Sequence, residues 1–351
     1  KQFINRPNER FYTLELPTGY GKTITAMKIA LWLGKQQNYK KIIYVAPYLS
    51  ILEQTSHVIK EAMDIGVLEH HSLALLDTGE QTSTIDEQRV PVKHLAMEAW
   101  AHGVICTSFQ QWSKAIFPGR AQDVLRRVFL QDSVVIIDEP QIFNPDIWNL
   151  FLIGLEALAE QKNLKIIFLS ATMPPFKYGL SKEPVRLTIH ADGQKDRYVV
   201  QIKEKMDEEQ LAEFLSTNEA EKQAAILNTI KDAYLVYQKL AQKDHKNVFL
   251  LHGMMIPLHK KVMISKVQKL LESKNKLPIK VISTQIIEAG VDVSFQHVAR
   301  AASILPSVVQ AAGRVNRHFE LEKGMLSIVP FYRHGKKNTR NSIYDKNLQL
   351  I

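Results

Sequence analysis

Residues Leu16 to Thr23 read Leu-Pro-Thr-Gly-Tyr-Gly-Lys-Thr, between an apolar run, Phe11 to Leu16, and an amphipathic stretch, Ile24 to Leu33. A strand, a tight loop and a helix in that order leave few folds open, and this loop composition is the one that cradles phosphate. Small Gly19 and Gly21 let backbone N–H groups turn inward onto phosphate oxygens, with the positive helix N-terminus behind them. Thr18, Gly19, Tyr20, Gly21, Lys22 and Thr23 are therefore the candidate nucleotide contacts. Lys22 is expected to reach the β- and γ-phosphates of ATP, and the Thr23 hydroxyl to ligate Mg²⁺.

The alternation continues. Apolar runs at Ile42 to Ala46, Val104 to Thr107, Val134 to Ile137 and Ile166 to Leu169 are separated by helical patterns, which predicts an α/β unit on a parallel sheet. A second series follows at Ala224 to Asn228, Val248 to Leu251, Ile279 to Ser283, His297 to Ala301 and Met325 to Val329. Between the two series the chain is rich in turn formers and then acidic, so lobes at 1–190 and 223–351 with a connection at 191–222 are expected. Thr78 to Gln88 reads as a polar surface loop. Trp100, Trp112 and Trp148 sit among apolar neighbours and read as core.

Asp138 and Glu139 end the run Val134 to Ile137, and open α/β sheets hold their ligands at that end of their strands. Asp138 is expected to hold Mg²⁺, and Glu139 to orient and deprotonate the attacking water. Arg314 and Arg317, three apart on an expected helix, would supply cations to the γ-phosphate from the second lobe, with Gln310 four residues before Arg314 as a further γ-phosphate or water contact.

Asp138-Glu139-Pro140-Gln141 resembles the DExH or DExD box of superfamily 2 helicases, and Phe168 to Pro174 (Phe-Leu-Ser-Ala-Thr-Met-Pro) resembles their third motif. Ser283 to Asp292 resembles motif V, Gln310 to Arg317 motif VI, and the phosphate loop the helicase variant that lacks the first glycine. The stretches Ala46 to Gln54, Asn228-Thr229, Leu251-His252 and Ile287 to Phe295 are similar to the helicase part of the CRISPR-associated helicase-nucleases of type I systems. That resemblance covers nearly the whole chain. It implies two tandem RecA-like P-loop lobes with parallel sheets, and ATP- and Mg²⁺-dependent movement, 3′ to 5′, on single-stranded DNA opened by a guide-RNA surveillance complex. It further implies that Ser170 and Thr172 couple the acidic strand end to the lobe interface, that Gln141 replaces the usual His or Asp in that coupling, and that Gly290 and Asp292 lie near the nucleotide. Pro47, Tyr48, Thr107, Ser108, Asn228, Thr229, His252 and Thr284 become the candidate contacts to the strand.

The formal charge of +9 suits a polyanionic partner. Basic pairs such as Lys40-Lys41 and Arg126-Arg127 read as solvated faces and are assigned to no ligand. Cys106 is the single cysteine, which excludes an internal disulfide or a cysteine zinc cluster and suits a reducing, cytoplasmic setting. No long apolar run suggests a membrane span. The early phosphate loop and the lack of a starting methionine read as a fragment of something longer, with little room after Tyr332 for an accessory domain. His70-His71 lack the Asp partner of the family's nuclease motif and read as a structural loop, so any nuclease domain or subunit is expected outside this sequence. Another helicase or translocase of the superfamily, acting on RNA or of the restriction type, and a nucleotide-gated nucleic-acid-binding subunit are the competing readings.

Overall fold

A computed structural model describes residues 9–16, 21–47, 49–71, 95, 97–187, 196–243, 247–273, 277–288 and 291–344. The chain divides into two compact units between His190 and Ala191. Segment 78–88, expected as a surface loop, lies outside the described residues.

The first unit is built on a parallel sheet of strands β1 (Phe11–Glu15), β2 (Lys41–Ala46), β3 (Leu68–His70), β4 (Val104–Ser108), β5 (Ser133–Asp138), β6 (Lys165–Ser170) and β7 (Val185–Leu187). Their order is β3-β4-β2-β5-β6-β1-β7. Strands β2, β5 and β6 are buried along almost their whole length, as a sheet covered on both faces requires, and this is why they read as unbroken apolar runs. One face packs Ile43, Val45, Val135, Ile137, Ile166 and Phe168 against Trp112, Trp148, Phe151 and Leu155. Trp100, Trp112 and Trp148 are all buried, so they are core, and Trp100 stacks on Trp112 with ring centroids 6.2 Å apart.

The second unit holds β8 (Tyr198–Ile202), β9 (Lys222–Ile226), β10 (Val248–Leu251), β11 (Ile279–Ser283), β12 (His297–Ala301) and β13 (Gly324–Val329), in the parallel order β10-β11-β9-β12-β13-β8. Alternate residues of β9 and the residue after it serve opposite layers: Ala224 and Ile226 join one apolar cluster, Ala225 and Leu227 the other. The segment expected as a connection is part of this unit. Tyr198–Ile202 pairs with β13 at the sheet edge, and the helix Glu208–Thr217 that follows is started by a capping box between Asp207 and Gln210. An edge strand half open to solvent lacks the apolar run of a central one, which hid it.

Candidate nucleotide site and its network

In the sheet order, β6 lies between β5, which ends in the acidic pair, and β1, which leads to the phosphate loop. Three C-terminal strand ends therefore meet in one place. Helix α1 (Lys22–Gln37) begins at Gly21, whose φ of 69° is left-handed backbone that glycine adopts without a Cβ penalty. Thr18, Gly19 and Tyr20 lie outside the described residues.

Lys22 Nζ donates to Glu139 Oε1 at 2.5 Å, and Gln141 Nε2 donates to Glu139 Oε2 at 2.6 Å. The Ser170 hydroxyl lies 2.7 Å from Gln141 Oε1, 3.0 Å from Glu139 Oε2 and 2.9 Å from the Thr172 carbonyl, and donates to one of them at a time. It also accepts from the Thr172 backbone N–H at 2.9 Å. Motif residues Lys22, Glu139, Gln141 and Ser170 thus form one hydrogen-bonded cluster. Burial pushes the Glu139 carboxyl up, but Lys22, Gln141 and Ser170 outweigh it and hold the group below the usual carboxylate range. Glu139 is ionised at neutral pH and able to accept a proton.

Asp138 is held differently. Its Oδ2 accepts from the Tyr44 hydroxyl at 2.8 Å, while its Oδ1 is buried with no hydrogen-bond partner. Burial first, then the Glu139 charge, raise its pKa. A buried carboxylate oxygen with open lone pairs, and a Thr23 hydroxyl 3.5 Å from the same Tyr44 hydroxyl, are oxygen donors of the kind that Mg²⁺ takes from protein while keeping most of its waters. Asp138 and Thr23 therefore fit that ion.

In the second unit, Arg314 and Arg317 are not on a helix. The helix Leu305–Ala312 stops at Gly313, and Val315 bridges Phe295, with Asn316 N–H donating to the Phe295 carbonyl at 2.8 Å. The helix ends before that bridge, so Gln310, half-buried on the helix, and Arg314 do not share a helical face. Arg314 Nη2 donates to the Glu288 carbonyl at 2.7 Å, and Arg317 Nε pairs with Asp292 Oδ1 at 2.9 Å within the same unit. Gly290 lies outside the described residues.

Beneath these arginines is a network the sequence reading missed. Arg300, wholly buried in β12, pairs through Nε with Glu288 Oε1 at 2.7 Å and donates to Asn228 Oδ1 at 2.7 Å and Ser307 Oγ at 2.9 Å. Ser307 in turn donates to Glu288 Oε2 at 2.7 Å. A lone cation inside an apolar strand was the available signal, since such a charge demands partners.

Several candidate strand contacts are committed elsewhere. Thr107 is buried and donates to the His70 carbonyl at 3.0 Å, and Asn228 is buried with its amide donating to the Ala302 carbonyl at 2.9 Å. The Ser108 hydroxyl caps the helix Phe109–Ile116, and Thr229 Oγ1 accepts from the Asp232 N–H and from Arg333. Thr284 is buried, Pro47 and His252 are half-buried, and Tyr48 lies outside the described residues. Local capping and strand-end satisfaction claimed these polar groups. His70 ends β3 rather than standing in a loop, 3.5 Å from Glu98, and among the described residues no cluster of His, Cys, Asp and Glu is arranged to hold a metal. Arg126, read as solvated, is buried against Glu98 and Gln111.

A DEAD/DEAH box helicase model matches residues 4–178, and a model of the CRISPR-associated nuclease/helicase Cas3 C-terminal part matches residues 219–320. The chain is 24% identical to the CRISPR-associated nuclease/helicase Cas3 of Haloferax volcanii, over 88% of this chain and 45% of that protein. It thus spans less than half the length of that relative. Among solved structures, T. fusca Cas3 with ATP superposes at a TM-score of 0.74, with 17% identity over 95% of this chain and 46% of the other. A chain of a CRISPR RNA-guided surveillance complex, pre-nicking, matches at 0.74 and 17% over 99% of this chain and 46% of that one.

Proposed function

We propose that this chain, a superfamily 2 helicase core resembling the helicase part of the CRISPR-associated nuclease/helicases, is an ATP-driven motor that moves 3′ to 5′ on single-stranded DNA in CRISPR defence. Its partners in this reading are a guide-RNA surveillance complex and a nuclease domain or subunit, in the cytoplasm. The observation that carries the reading is the Lys22–Glu139–Gln141–Ser170 cluster at the strand ends beside the Gly21 turn. A phosphate-binding cation, an ionised base and the residues that hold that base are the parts phosphoryl transfer to water needs.

Entering nucleotide takes over the Lys22 ammonium for its phosphates. Glu139, released from that contact but still held through Oε2 by Gln141, is then placed to accept the proton of the attacking water. Asp138 and Thr23 would hold Mg²⁺, which would supply positive charge to neutralise the phosphates. In this reading Arg314 and Arg317 are the candidate cations for the γ-phosphate.

ATP turnover in Mg²⁺, measured with no nucleic acid, with single-stranded DNA and with RNA of the same sequence, tests this reading. DNA should raise turnover well above both other conditions. Equal turnover with and without DNA would sink the motor, and stimulation by RNA alone would turn it into an RNA helicase.

A further inference from the structure

Strand β2 reads Lys-Ile-Ile-Tyr-Val-Ala, and its Ile43 and Val45 enter the apolar cluster on one face of the sheet. Tyr44, between them, points to the other face and is fully buried. It is in register with Ile136 of β5, so Asp138, two residues on, presents its side chain to the same face just beyond it. The Tyr44 hydroxyl donates to Asp138 Oδ2 at 2.8 Å and lies 3.5 Å from Thr23 Oγ1. Asp138 Oδ1 is left buried without a hydrogen-bond partner.

We propose that Tyr44 is a positioning residue for the divalent cation of the nucleotide site, fixing which oxygens of Asp138 and Thr23 face the ion. This rests on the nucleotide-site reading above. The phenol has one proton, and giving it to Asp138 Oδ2 fills that oxygen and pins the carboxylate, so Oδ1 is the atom left for a cation. With its own proton spent, the phenol oxygen can only accept from Thr23. The Thr23 hydroxyl is thereby turned with its hydrogen toward Tyr44 and its lone pairs away from it. A phenylalanine would fill the same space and leave both ligands free to turn. Losing a hydrogen bond that orients a metal ligand typically costs about 10- to 100-fold in affinity for the ion.

The test compares the wild-type chain with Tyr44→Phe, which removes one oxygen, by titrating Mn²⁺ into the AMPPNP complex and following bound Mn²⁺ by electron paramagnetic resonance. AMPPNP affinity in EDTA should stay within about twofold of wild type, and the Mn²⁺ half-saturation should rise about tenfold. Val45→Ala, a truncation in the same strand outside the site, serves as the structural control and should leave the Mn²⁺ half-saturation in place even if it melts earlier. An unchanged Mn²⁺ titration in Tyr44→Phe, or an equal rise in Val45→Ala, overturns the proposal while the nucleotide site stands. If the wild-type chain binds no AMPPNP under either condition, the nucleotide reading fails and the role of Tyr44 falls with it.

Discussion

Glu139 sits in left-handed backbone, φ 51°, where a residue with a Cβ is uncommon. Its N–H donates to the Leu169 carbonyl at 2.8 Å and its carbonyl accepts from Ile142, so strand β6 and the following turn hold it there. A non-glycine residue in that region costs on the order of 1–3 kcal/mol, which the surroundings offset, and such strain collects where a side chain must be aimed. Here the aim is toward Lys22. Glu139→Gln should keep ATP binding and lower turnover by about 10²- to 10⁴-fold, because the amide cannot take a proton. Lys22→Ala should lose binding and turnover together, and nucleotide titration beside turnover assays would separate the two. Equal loss of binding in both variants would show that the roles are assigned wrongly.

Another single residue sets a pH limit. His297 is buried in β12 with Nε2 3.0 Å from Ser327 Oγ, and burial, then Lys203, lower its pKa to about 4. The unfolded chain titrates this group near the ordinary imidazole value of 6.5, so between about 6.5 and 4 the unfolded state binds the proton first. The contribution of neutral His297 is complete above that window and is lost as pH falls through it. Melting temperature should drop less between pH 6.5 and pH 4.5 in His297→Gln than in the wild type; parallel curves would remove His297 from the acid response.

At the scale of the element, β12 shows why some of this protein was legible in its sequence and some was not. Central strands such as β5 and β6 are legible to within a residue or two of their ends because both faces are covered and polar residues stand only at their ends. The edge strands Leu68–His70, Val185–Leu187 and Tyr198–Ile202 are short or half-exposed, and the same rule misses them. Within the site, Lys22, Asp138, Glu139 and Ser170 were nameable because phosphate chemistry fixes their types and order. Tyr44 and Arg300 were not, since a tyrosine or arginine in an apolar run shows that a partner exists without saying which. The helical spacing of Arg314 and Arg317 failed because Val315 bridging Phe295 is a long-range event that no local period reports. Arg300 links β12 to the loop after β9, to Glu288 and to the helix Leu305–Ala312. Arg300→Met leaves the Glu288 carboxylate buried without its cation, a change expected to cost about 3–5 kcal/mol. Urea denaturation of Arg300→Met, Glu288→Leu and the double variant should show the double losing clearly less than the sum of the singles. Additive losses would mean the pair is not coupled.

At the scale of the whole molecule, the candidate strand contacts that turned inward, Thr107 and Asn228 above all, would leave the proposed nucleic-acid binding to backbone groups and charge. The formal net charge of +9 gives that charge a consistent sign. Contacts of this kind release counterions from the strand, so their strength falls with salt, whereas the nucleotide cradle of one lysine and backbone N–H groups responds far less. If about four phosphates of single-stranded DNA are neutralised, the affinity should fall about 50-fold between 50 and 200 mM KCl. The DNA concentration giving half-maximal stimulation of ATP turnover should rise by that order over the range, while AMPPNP affinity moves by less than about threefold. The two titrations share one protein and one buffer series, so a general loss of folding would move both. A half-saturating DNA concentration that stays level across the series would mean that the strand is held by stacking or hydrogen bonds to bases. In that case the exposed apolar side chains after β10, Met254 and Ile256, would be the next residues to truncate.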